Sequence, residues 1–339
     1  MKVLLYFEGE KMLEKSGIGR ALSHQKRALS EVGVEYTCDP HDEDYDILHI
    51  NTYGVNSYNM VSKARRAGKK VIYHAHSTEE DFRNSFIGSN QVSPIYKKYL
   101  VSLYSKADQL ITPTPYSKEL LEGYGLTVPI AAISNGIDLE KYAPDPEKEQ
   151  KFREYFHLSP EQKVIISVGL FFERKGIVDF VELAKQFPEY LFIWFGHVPM
   201  YTIPKNIRNI VKEDHPDNVL FPGYIQGEII QGAYSGADLF FFPSYEETEG
   251  IVVLEALASK QKVLVRDIPV YKGWLQNEQN CYMAKDNQEF ANRIEEIVEQ
   301  KVPDLSLAGY ETAKGKSIRK IGEELKAVYE QVLENETVM

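Results

Sequence analysis

Short apolar runs alternate with longer, mostly polar stretches along the whole chain. Runs rich in β-branched or aromatic residues predict strands at 3–7, 47–50, 71–73, 110–112, 164–168, 191–195, 239–242 and 263–265. Consecutive apolar positions are typical of strands that are buried on both faces of a parallel sheet. Because helical periodicity lies between these runs, the alternation predicts an α/β fold with right-handed crossovers.

The strand pattern pauses once, at 142–149, where two prolines and a run of charges predict a linker. The length of 339 residues agrees with two domains. We therefore predict two doubly wound domains, at 1–145 and 160–310. Near the C-terminus, apolar residues recur at intervals of three and four, at Ile318, Ile321, Leu325, Val328 and Val332. This spacing predicts an amphipathic helix at about 316–335 that crosses back to the first domain.

Charge and composition exclude several classes of protein. The net charge of −11 argues against nucleic acid as the main partner. Apolar runs are much shorter than the ~18 residues of a membrane span, and the start has too few apolar residues for a signal peptide. Cys38 and Cys281 are far apart in the sequence and have no metal-type spacing. These features predict a cytoplasmic protein with reduced thiols.

A glycine-containing loop, Ser16-Gly17-Ile18-Gly19-Arg20, follows the first predicted strand and opens a helix. Glycines let the backbone approach a ligand, and free amides at a helix start attract phosphate. Because Leu22 replaces the third glycine of a dinucleotide fingerprint, the loop indicates a general phosphate site better than an NAD site. A simple tight turn is the alternative.

Two histidines, His74 and His76, come at the end of the strand predicted at 71–73. Alternate residues of an extended chain point to the same face, so the pair could bind a metal, but no third ligand is identifiable nearby. Ligands of α/β proteins bind beyond the strand ends, which favours one histidine facing such a crevice. A hydrogen-bonded core histidine is the remaining alternative.

The second half carries adjacent cations, Arg174 and Lys175, directly before Gly176 and after a predicted strand. The arginine offers forked hydrogen bonds and the lysine a compact charge, so together they can neutralise a diphosphate. Surface Arg-Lys pairs are common, and this motif alone is weak evidence.

The stretch 244–256 is the most informative part of the chain, because it places Glu247 and Glu255 eight residues apart around Gly250. Gly250 predicts a helix start, where the amides of Gly250, Ile251 and Val252 can meet a phosphate. Carboxylates accept hydrogen bonds from sugar hydroxyls. Glu255 stands among apolar residues, and a carboxylate on an apolar helix face needs a partner.

Together these motifs resemble the family-four glycosyltransferases, which are retaining enzymes of the GT-B fold. The resemblance covers nearly the whole chain and rests on SGIGR (16–20), His76, TPTPYSKEL (112–120), ISNGIDLEKY (133–142), GLFFERKG (169–176) and EETEGIVVLEALA (246–258). The most specific element is Glu-x7-Glu followed by Ala. One departure is Glu249, because relatives often carry an aromatic residue there. The resemblance implies two Rossmann-like domains facing a central cleft, with a nucleotide-sugar donor held mostly by the second.

The resemblance also implies roles for individual residues. Arg174 and Lys175 would hold the diphosphate, and Glu255 would bind the ribose hydroxyls. The catalytic set would include His76, facing the sugar near its reacting carbon, and Glu247, binding hydroxyls of that sugar. Other donor contacts would come from Gly17, Gly19, Gly250, Ile251 and Val252. The family implies a UDP-glucose or UDP-galactose donor, retention of configuration, and neither a bound metal nor a cofactor.

Within the family, HINTYG (49–54), STEEDFRNSFIGSN (77–90) and YEETEGIVV (245–253) are most similar to bacterial enzymes that glycosylate diacylglycerol lipids. In particular, they resemble enzymes that add a second hexose to monoglucosyl-diacylglycerol. The implied acceptor is a membrane glycolipid, and the implied location is peripheral, on the inner face of the cell membrane.

A locally basic region independently suggests an anionic membrane surface as partner. Residues 63–106 contain nine Lys or Arg and three acids. Such a region can bind anionic lipid headgroups despite the overall negative charge. We expect acceptor or membrane contacts at Lys63, Arg65, Arg66, Lys69, Lys70, Phe82, Phe86, Lys97 and Lys98. The alternative is a solvated helix end followed by a packed helix.

Three other functions are compatible with parts of the pattern. They are a soluble family-four enzyme of polysaccharide or teichoic-acid assembly, a non-catalytic two-domain sugar-binding protein, and a dehydrogenase. The incomplete glycine fingerprint disfavours the dehydrogenase. The acid Glu255, following a phosphate-type loop, disfavours simple sugar binding. The sequence gives no prediction of oligomeric state.

Overall fold

The computed structural model describes residues 1–9 and 17–334. They form two compact units. The first contains the described residues of Met1–Phe82, Gln91–Ile137 and Lys316–Met339, and the second contains Arg83–Asn90 and Asp138–Gly315.

Each unit is built on a six-stranded parallel sheet. In chain order the strands are β1 (Lys2–Tyr6), β2 (Glu35–Thr37), β3 (Ile47–Ile50), β4 (Lys70–His74), β5 (Gln109–Thr112), β6 (Ile130–Ala132), β7 (Val164–Val168), β8 (Leu191–Phe195), β9 (Val219–Gly223), β10 (Leu239–Phe242), β11 (Val263–Arg266) and β12 (Tyr282–Ala284). The spatial order is β2-β1-β3-β4-β5-β6 in the first sheet and β12-β11-β10-β7-β8-β9 in the second.

Helices connect the strands. In chain order those described are α1 (Gly17–Glu31), α2 (Val55–Arg66), α3 (Glu79–Phe82), α4 (Ser89–Tyr104), α5 (Pro115–Gly123), α6 (Pro146–Tyr155), α7 (Ile177–Ala184), α8 (Lys205–Lys212), α9 (Glu228–Gly236), α10 (Ile251–Ala258), α11 (Asn287–Val298), α12 (Ser306–Lys314) and α13 (Ile318–Glu334). Local sequence explains several starts. Thr114 and Ser117 form a capping box on α5, for example, and Asp286 caps α11.

The predicted α/β architecture is confirmed, and so is the return of the C-terminal helix to the first unit. Ile321, Leu325 and Tyr329 of α13 are buried in one apolar cluster with Val3 and Leu29 of the first unit. Burial of this stripe is what holds α13 on the sheet, because apolar contact is the dominant favourable term in packing.

Two details differ from the expectations. The eight predicted strands are present, but four more exist: β2, β6, β9 and β12, which are the edges of the two sheets. The stretch expected to be a linker contains the start of α6, where Asp145 accepts hydrogen bonds from the amides of Glu147 and Lys148. Asp-Pro is a favourable helix start as well as a chain breaker, which explains the error.

Gly322 provides a test of the α13 packing. A Cβ there would lie 2.5 Å from the carbonyl oxygen of Ala28 on α1 and 2.9 Å from Cγ1 of Val32. We expect Gly322→Ala to lower the free energy of unfolding of the first unit by about 1–3 kcal/mol, because overpacking costs more than alanine's helix propensity returns.

The matched control is Glu323→Ala, on the exposed side of the same helix, with an expected change below about 0.5 kcal/mol. Urea unfolding followed by circular dichroism measures both variants. Equal stability of the two would contradict the packing described for α13.

Candidate functional site

The strand order of the second sheet has a switch point between β7 and β10. The chain leaves β7 towards β8 on one side and later returns to add β10 on the other. Ligand crevices of open α/β sheets form at such points, beyond the carboxyl ends of the strands. The loop after β7 carries Arg174 and Lys175, and the loop after β10 carries Glu247, so the topology brings these predicted residues together.

Gly176 explains how closely the two loops approach. Its φ is +78°, and a Cβ there would lie 2.4 Å from the carbonyl oxygen of Pro243. Only glycine adopts this conformation without strain and leaves that space. The loops are further joined by a hydrogen bond from the amide of Tyr245 to the carbonyl oxygen of Arg174, at 2.7 Å.

A buried ion pair forms between the loops. The Lys175 ammonium donates to Oε1 of Glu247, whose residue is 6% exposed. Nη1 of Arg174 is 3.9 Å from the same oxygen, and the Ser244 hydroxyl donates to it at 2.7 Å. Burial alone would raise the pKa of the Glu247 carboxyl. The attraction of Lys175 and Arg174 and the hydrogen bonds from Lys175 and Ser244 outweigh burial, so the pKa lies below its ordinary value.

Arg174 also binds protein groups. Its Nε donates to the Ser85 hydroxyl and its Nη1 to the carbonyl oxygen of Glu246, both at 2.9 Å. Its backbone amide donates to the carbonyl oxygen of Asn84. These bonds fix the guanidinium beside Glu247 and explain why Arg83–Asn90 belongs to the second unit. No local sequence pattern indicates the contact between Arg174 and this segment.

The helix start predicted at Gly250 is present as the start of α10. Gly250 precedes it with φ +86°, and all residues of the helix are buried. The first amides of a helix have no carbonyl partner within it and point out of its N-terminus. Gly250, Ile251 and Val252 follow the loop that carries Glu247 and form the start of α10. Glu249 is 1% exposed, so the departure from the family's aromatic residue introduces a buried acid.

Glu255 has the hydrogen-bond partners that its apolar surroundings require. It is fully buried in α10, and its two oxygens accept hydrogen bonds from the hydroxyls of Tyr142, at 2.7 Å, and Tyr234, at 2.6 Å. The partner that an apolar helix face requires is thus a pair of tyrosines, which the sequence analysis missed. Tyr142 is the last residue of the quoted ISNGIDLEKY segment. A ribose hydroxyl has to use the lone pairs that remain on these oxygens.

The first unit places its predicted residues in a row of buried histidines. His76 stacks on His74 with ring centroids 4.1 Å apart, and His74 stacks on His49 at 5.4 Å. Nε2 of His76 is 2.9 Å from Oδ1 of Asn51, so that nitrogen carries the proton and Nδ1 is an acceptor. Burial lowers the pKa of His76 to about 3, so its ring is neutral at pH 7.

In each of the other two rings, one nitrogen has a hydrogen-bonding neighbour. The Gln25 amide nitrogen is 2.6 Å from Nδ1 of His74, which makes that nitrogen an acceptor. The Tyr329 hydroxyl is 2.6 Å from Nδ1 of His49. These contacts engage one nitrogen of each ring of the pair, Nδ1 of His74 and Nε2 of His76. Among residues 1–9 and 17–334, no group of three or more His, Cys, Asp or Glu is arranged to hold a metal ion.

The structure describes only part of the predicted glycine-containing loop at 16–20. Gly17 and Gly19 lie in the first turn of the described part of α1. Ser16 of that motif lies outside the described residues.

The predicted basic region is divided between paired and exposed side chains. Lys63 pairs with Glu43 at 3.0 Å, Arg65 lies 3.8 Å from Asp108, and Lys97 is 3.4 Å from Glu79. Arg66 and Lys98 are exposed, whereas Lys69 and Lys70 are half-buried. The local positive charge is therefore smaller than the sequence count indicates.

Two of the predicted aromatic contacts differ in exposure. Phe82 is half-buried and stacks on Tyr96, with centroids 4.3 Å apart. Phe86 is 40% exposed and meets the Phe172 ring edge-on.

An exposed apolar surface in the first unit was missed by the sequence analysis. Val92, Ile95 and Tyr99 lie three and four residues apart on α4 and are all exposed. The Tyr99 hydroxyl donates to the carbonyl oxygen of Tyr53, which brings this face beside the start of α2. There Val55 and Tyr58 are also exposed. We call these five residues the α2–α4 apolar patch. Helices of the described chain are all too short or too polar to cross a bilayer.

The Lys175–Glu247 pair can be tested by stability. We expect Lys175→Met to lower the free energy of unfolding of the second unit by about 3 kcal/mol at pH 7.5, because Arg174, at 3.9 Å, is then the cation left beside the buried carboxylate. Loss of the lysine raises the pKa of Glu247. The difference in free energy of unfolding between wild type and Lys175→Met therefore becomes smaller as the pH falls and the Glu247 carboxyl protonates. Thermal unfolding at several pH values measures this.

Two variants control the experiment. Lys175→Met with Glu247→Gln removes both charges and should recover part of the loss. Lys185→Met breaks the exposed pair with Glu182 and should cost less than about 1 kcal/mol. A Lys175→Met protein as stable as Lys185→Met would contradict the buried pair.

Comparison with family models and comparison with individual proteins identify the same family. Residues 39–141 match the family model "Glycosyltransferase Family 4", and residues 148–314 match "Glycosyl transferases group 1". The chain is 48% identical over 334 residues to the processive diacylglycerol alpha-glucosyltransferase of Acholeplasma laidlawii, covering 98% of this chain and 99% of that one. It is 29% identical to the alpha-galactosylglucosyldiacylglycerol synthase of Streptococcus pneumoniae, over 67% of this chain and 62% of that one.

Solved structures agree on the fold. A sucrose-phosphate synthase from Thermosynechococcus elongatus superposes with a TM-score of 0.79 at 17% identity, covering 99% of this chain and 100% of that one. Anabaena HepE, in complex with UDP and glucose, superposes with a TM-score of 0.78 at 17% identity, over 98% of this chain and 100% of that one. The chain is thus a glycosyltransferase with a GT-B fold, and it belongs to glycosyltransferase family four.

Proposed function

We propose that this enzyme transfers glucose or galactose from a UDP-sugar to glucosyl-diacylglycerol at a membrane surface, with retention of the α configuration. The observation that carries the proposal is the 48% identity to a diacylglycerol glucosyltransferase over nearly the full length of both chains. The buried ion pair beside the start of α10 supports the donor half, and the α2–α4 apolar patch supports the membrane half.

The donor half follows from the charges in the second unit. When the glycosidic bond to UDP breaks, negative charge develops on the leaving diphosphate. Lys175, Arg174 and the first amides of α10 supply positive charge and hydrogen-bond donors that are already oriented, which is the most effective form of electrostatic stabilisation. Glu247, fixed by its cations and Ser244, is left to accept hydrogen bonds from hydroxyls of the sugar.

Retention requires the acceptor to attack from the face that the diphosphate leaves. In the proposed reaction the acceptor oxygen bonds to the anomeric carbon, the carbon–oxygen bond to UDP breaks, and the acceptor proton passes to the departing phosphate oxygen. In the proposed reaction the side-chain cations Lys175 and Arg174 supply the positive charge that the leaving group needs. The neutral His76 ring offers an acceptor nitrogen, Nδ1, to a sugar hydroxyl.

Contact with the membrane is the other half of the proposal. Exposed apolar side chains on one face, with exposed cations such as Lys98 nearby in the sequence, are the features of a helix that lies in a lipid interface. Apolar side chains at the surface are normal singly, but a group of five on two adjacent helices indicates an interaction surface.

The direct test is UDP release from UDP-glucose and UDP-galactose, with and without monoglucosyl-diacylglycerol in phosphatidylglycerol micelles. We expect release that depends on the glycolipid and prefers one donor. Lys175→Met should reduce the rate at least 100-fold because it removes charge stabilisation of the leaving group, while Lys185→Met should retain it. Release that is independent of lipid, or that needs a soluble saccharide, would favour an enzyme of polysaccharide or teichoic-acid assembly.

Membrane binding has its own test. We expect Ile95→Asp to lower the affinity for phosphatidylglycerol vesicles, measured by co-sedimentation, about tenfold or more. The reason is that burying an isoleucine side chain contributes roughly 1.5–3 kcal/mol to binding. Ile95 is 69% exposed, so folding is preserved. Leu307→Asp is the control, since Leu307 is 66% exposed on α12 of the second unit. Equal vesicle binding by both variants would reject the α2–α4 apolar patch as the membrane contact.

A further inference from the structure

Tyr271 has a hydroxyl for which the described chain supplies no hydrogen-bond partner. The residue is 1% exposed and lies at the end of a 3-10 turn, Pro269–Tyr271, that follows β11. Among the described residues, none forms a hydrogen bond with its oxygen. Leaving a buried hydroxyl unpaired is unfavourable, so the geometry calls for a partner from outside the chain.

The hydroxyl points to the start of α10. A Cβ built on Gly250 would lie 3.4 Å from the Tyr271 oxygen, so the glycine leaves the space between this oxygen and the helix start open. The ring is held by an edge-on contact with Trp274, whose indole nitrogen donates to the carbonyl oxygen of Val270 at 2.8 Å. Tyr271 is therefore oriented toward the donor site before any ligand arrives.

The protonation state of Tyr271 makes it a donor. Burial raises the pKa of the phenol well above its ordinary value, and the nearby charge of Glu247 raises it further. The hydroxyl therefore keeps its proton at pH 7. A proton donor beside a helix N-terminus and two cations suits an electron-rich oxygen.

We propose that Tyr271 is a donor-binding residue whose hydroxyl donates a hydrogen bond to an oxygen of the nucleotide sugar at the start of α10. This inference rests on the proposed function, because it takes the ligand to be a UDP-sugar. The oxygen belongs to the diphosphate or to a sugar hydroxyl, and the choice of ligand in the experiment separates the two.

The experiment compares Tyr271→Phe with wild type by calorimetric titration of UDP and of UDP-glucose, and by thermal unfolding without ligand. We expect Tyr271→Phe to bind UDP-glucose about tenfold more weakly, since one hydrogen bond is lost. Its unfolding temperature should equal or exceed that of wild type, because no protein hydrogen bond is removed. If Tyr271→Phe weakens the binding of UDP as much as that of UDP-glucose, the hydrogen bond is made to the diphosphate. If UDP binding is unchanged, the hydrogen bond is made to the sugar.

The matched control is Tyr282→Phe. Tyr282 is also buried in the second unit, but its hydroxyl donates to the carbonyl oxygen of Pro303 at 2.7 Å. This variant should unfold at a lower temperature and bind UDP-glucose as wild type does.

Two results would overturn the inference: wild-type affinity of Tyr271→Phe for both ligands, or a stability loss like that of Tyr282→Phe, which would indicate a partner within the protein or a bound water. A wild-type chain that binds neither ligand would instead contradict the proposed function.

Discussion

Glu247 is a carboxylate that has been removed from water, and an isolated charge in that position would be strongly destabilising. It is stable because Lys175 and Arg174 from the loop after β7 lie against it and Ser244 donates to it. These contacts depend on two parallel strands that are distant in sequence being neighbours in the sheet. They also depend on Gly176, which lets one loop pass within contact of the other. The ion pair therefore links the topology of the second unit to its chemistry.

The two units hold their buried polar groups in different ways. In the second, charged groups are paired, and the amides of α10 add a partial positive charge. In the first, burial keeps His49 in β3, His74 at the end of β4 and His76 just after it neutral. Hydrogen bonds link these rings to Gln25, Asn51 and Tyr329. This division suits the proposed reaction. A leaving diphosphate needs positive charge, whereas a sugar hydroxyl needs neutral hydrogen-bonding groups that do not compete for its proton.

Sequence pattern predicted the inner strands of both sheets and missed the outer ones for a physical reason. The inner strands β7 and β10 are buried at every position and, apart from Ser167, consist of apolar residues. Three of the four edge strands have only three residues, which is too short for a clear apolar run, and Glu35–Thr37 includes a charged residue and is only half covered. The same limit applies to α6, where Asp145-Pro146 has the composition of a linker but caps a helix.

The sequence predicts those site residues that belong to short motifs, but not those that the fold brings in from distant segments. Arg174, Lys175 and Glu247 stand in recognisable motifs. Tyr234, which donates a hydrogen bond to Glu255, lies in α9, where no motif marks it as a site residue. Ser85, which accepts a hydrogen bond from Arg174, lies 89 residues earlier in the chain. The count of residues 63–106 overestimated the local positive charge, because Lys63 and Arg65 have acidic partners, Glu43 and Asp108, that lie outside that range.

The central claim is that the loops after β7 and β10 and the start of α10 bind the nucleotide sugar. Amide hydrogen exchange with and without UDP-glucose tests it most directly, because it reports on each backbone segment in the intact chain. We expect slower exchange in peptides covering 169–177 and 243–254 when UDP-glucose is present, and unchanged exchange in α12, at 306–314. Unchanged exchange in both loops, with binding of UDP-glucose demonstrated in the same sample, would contradict it.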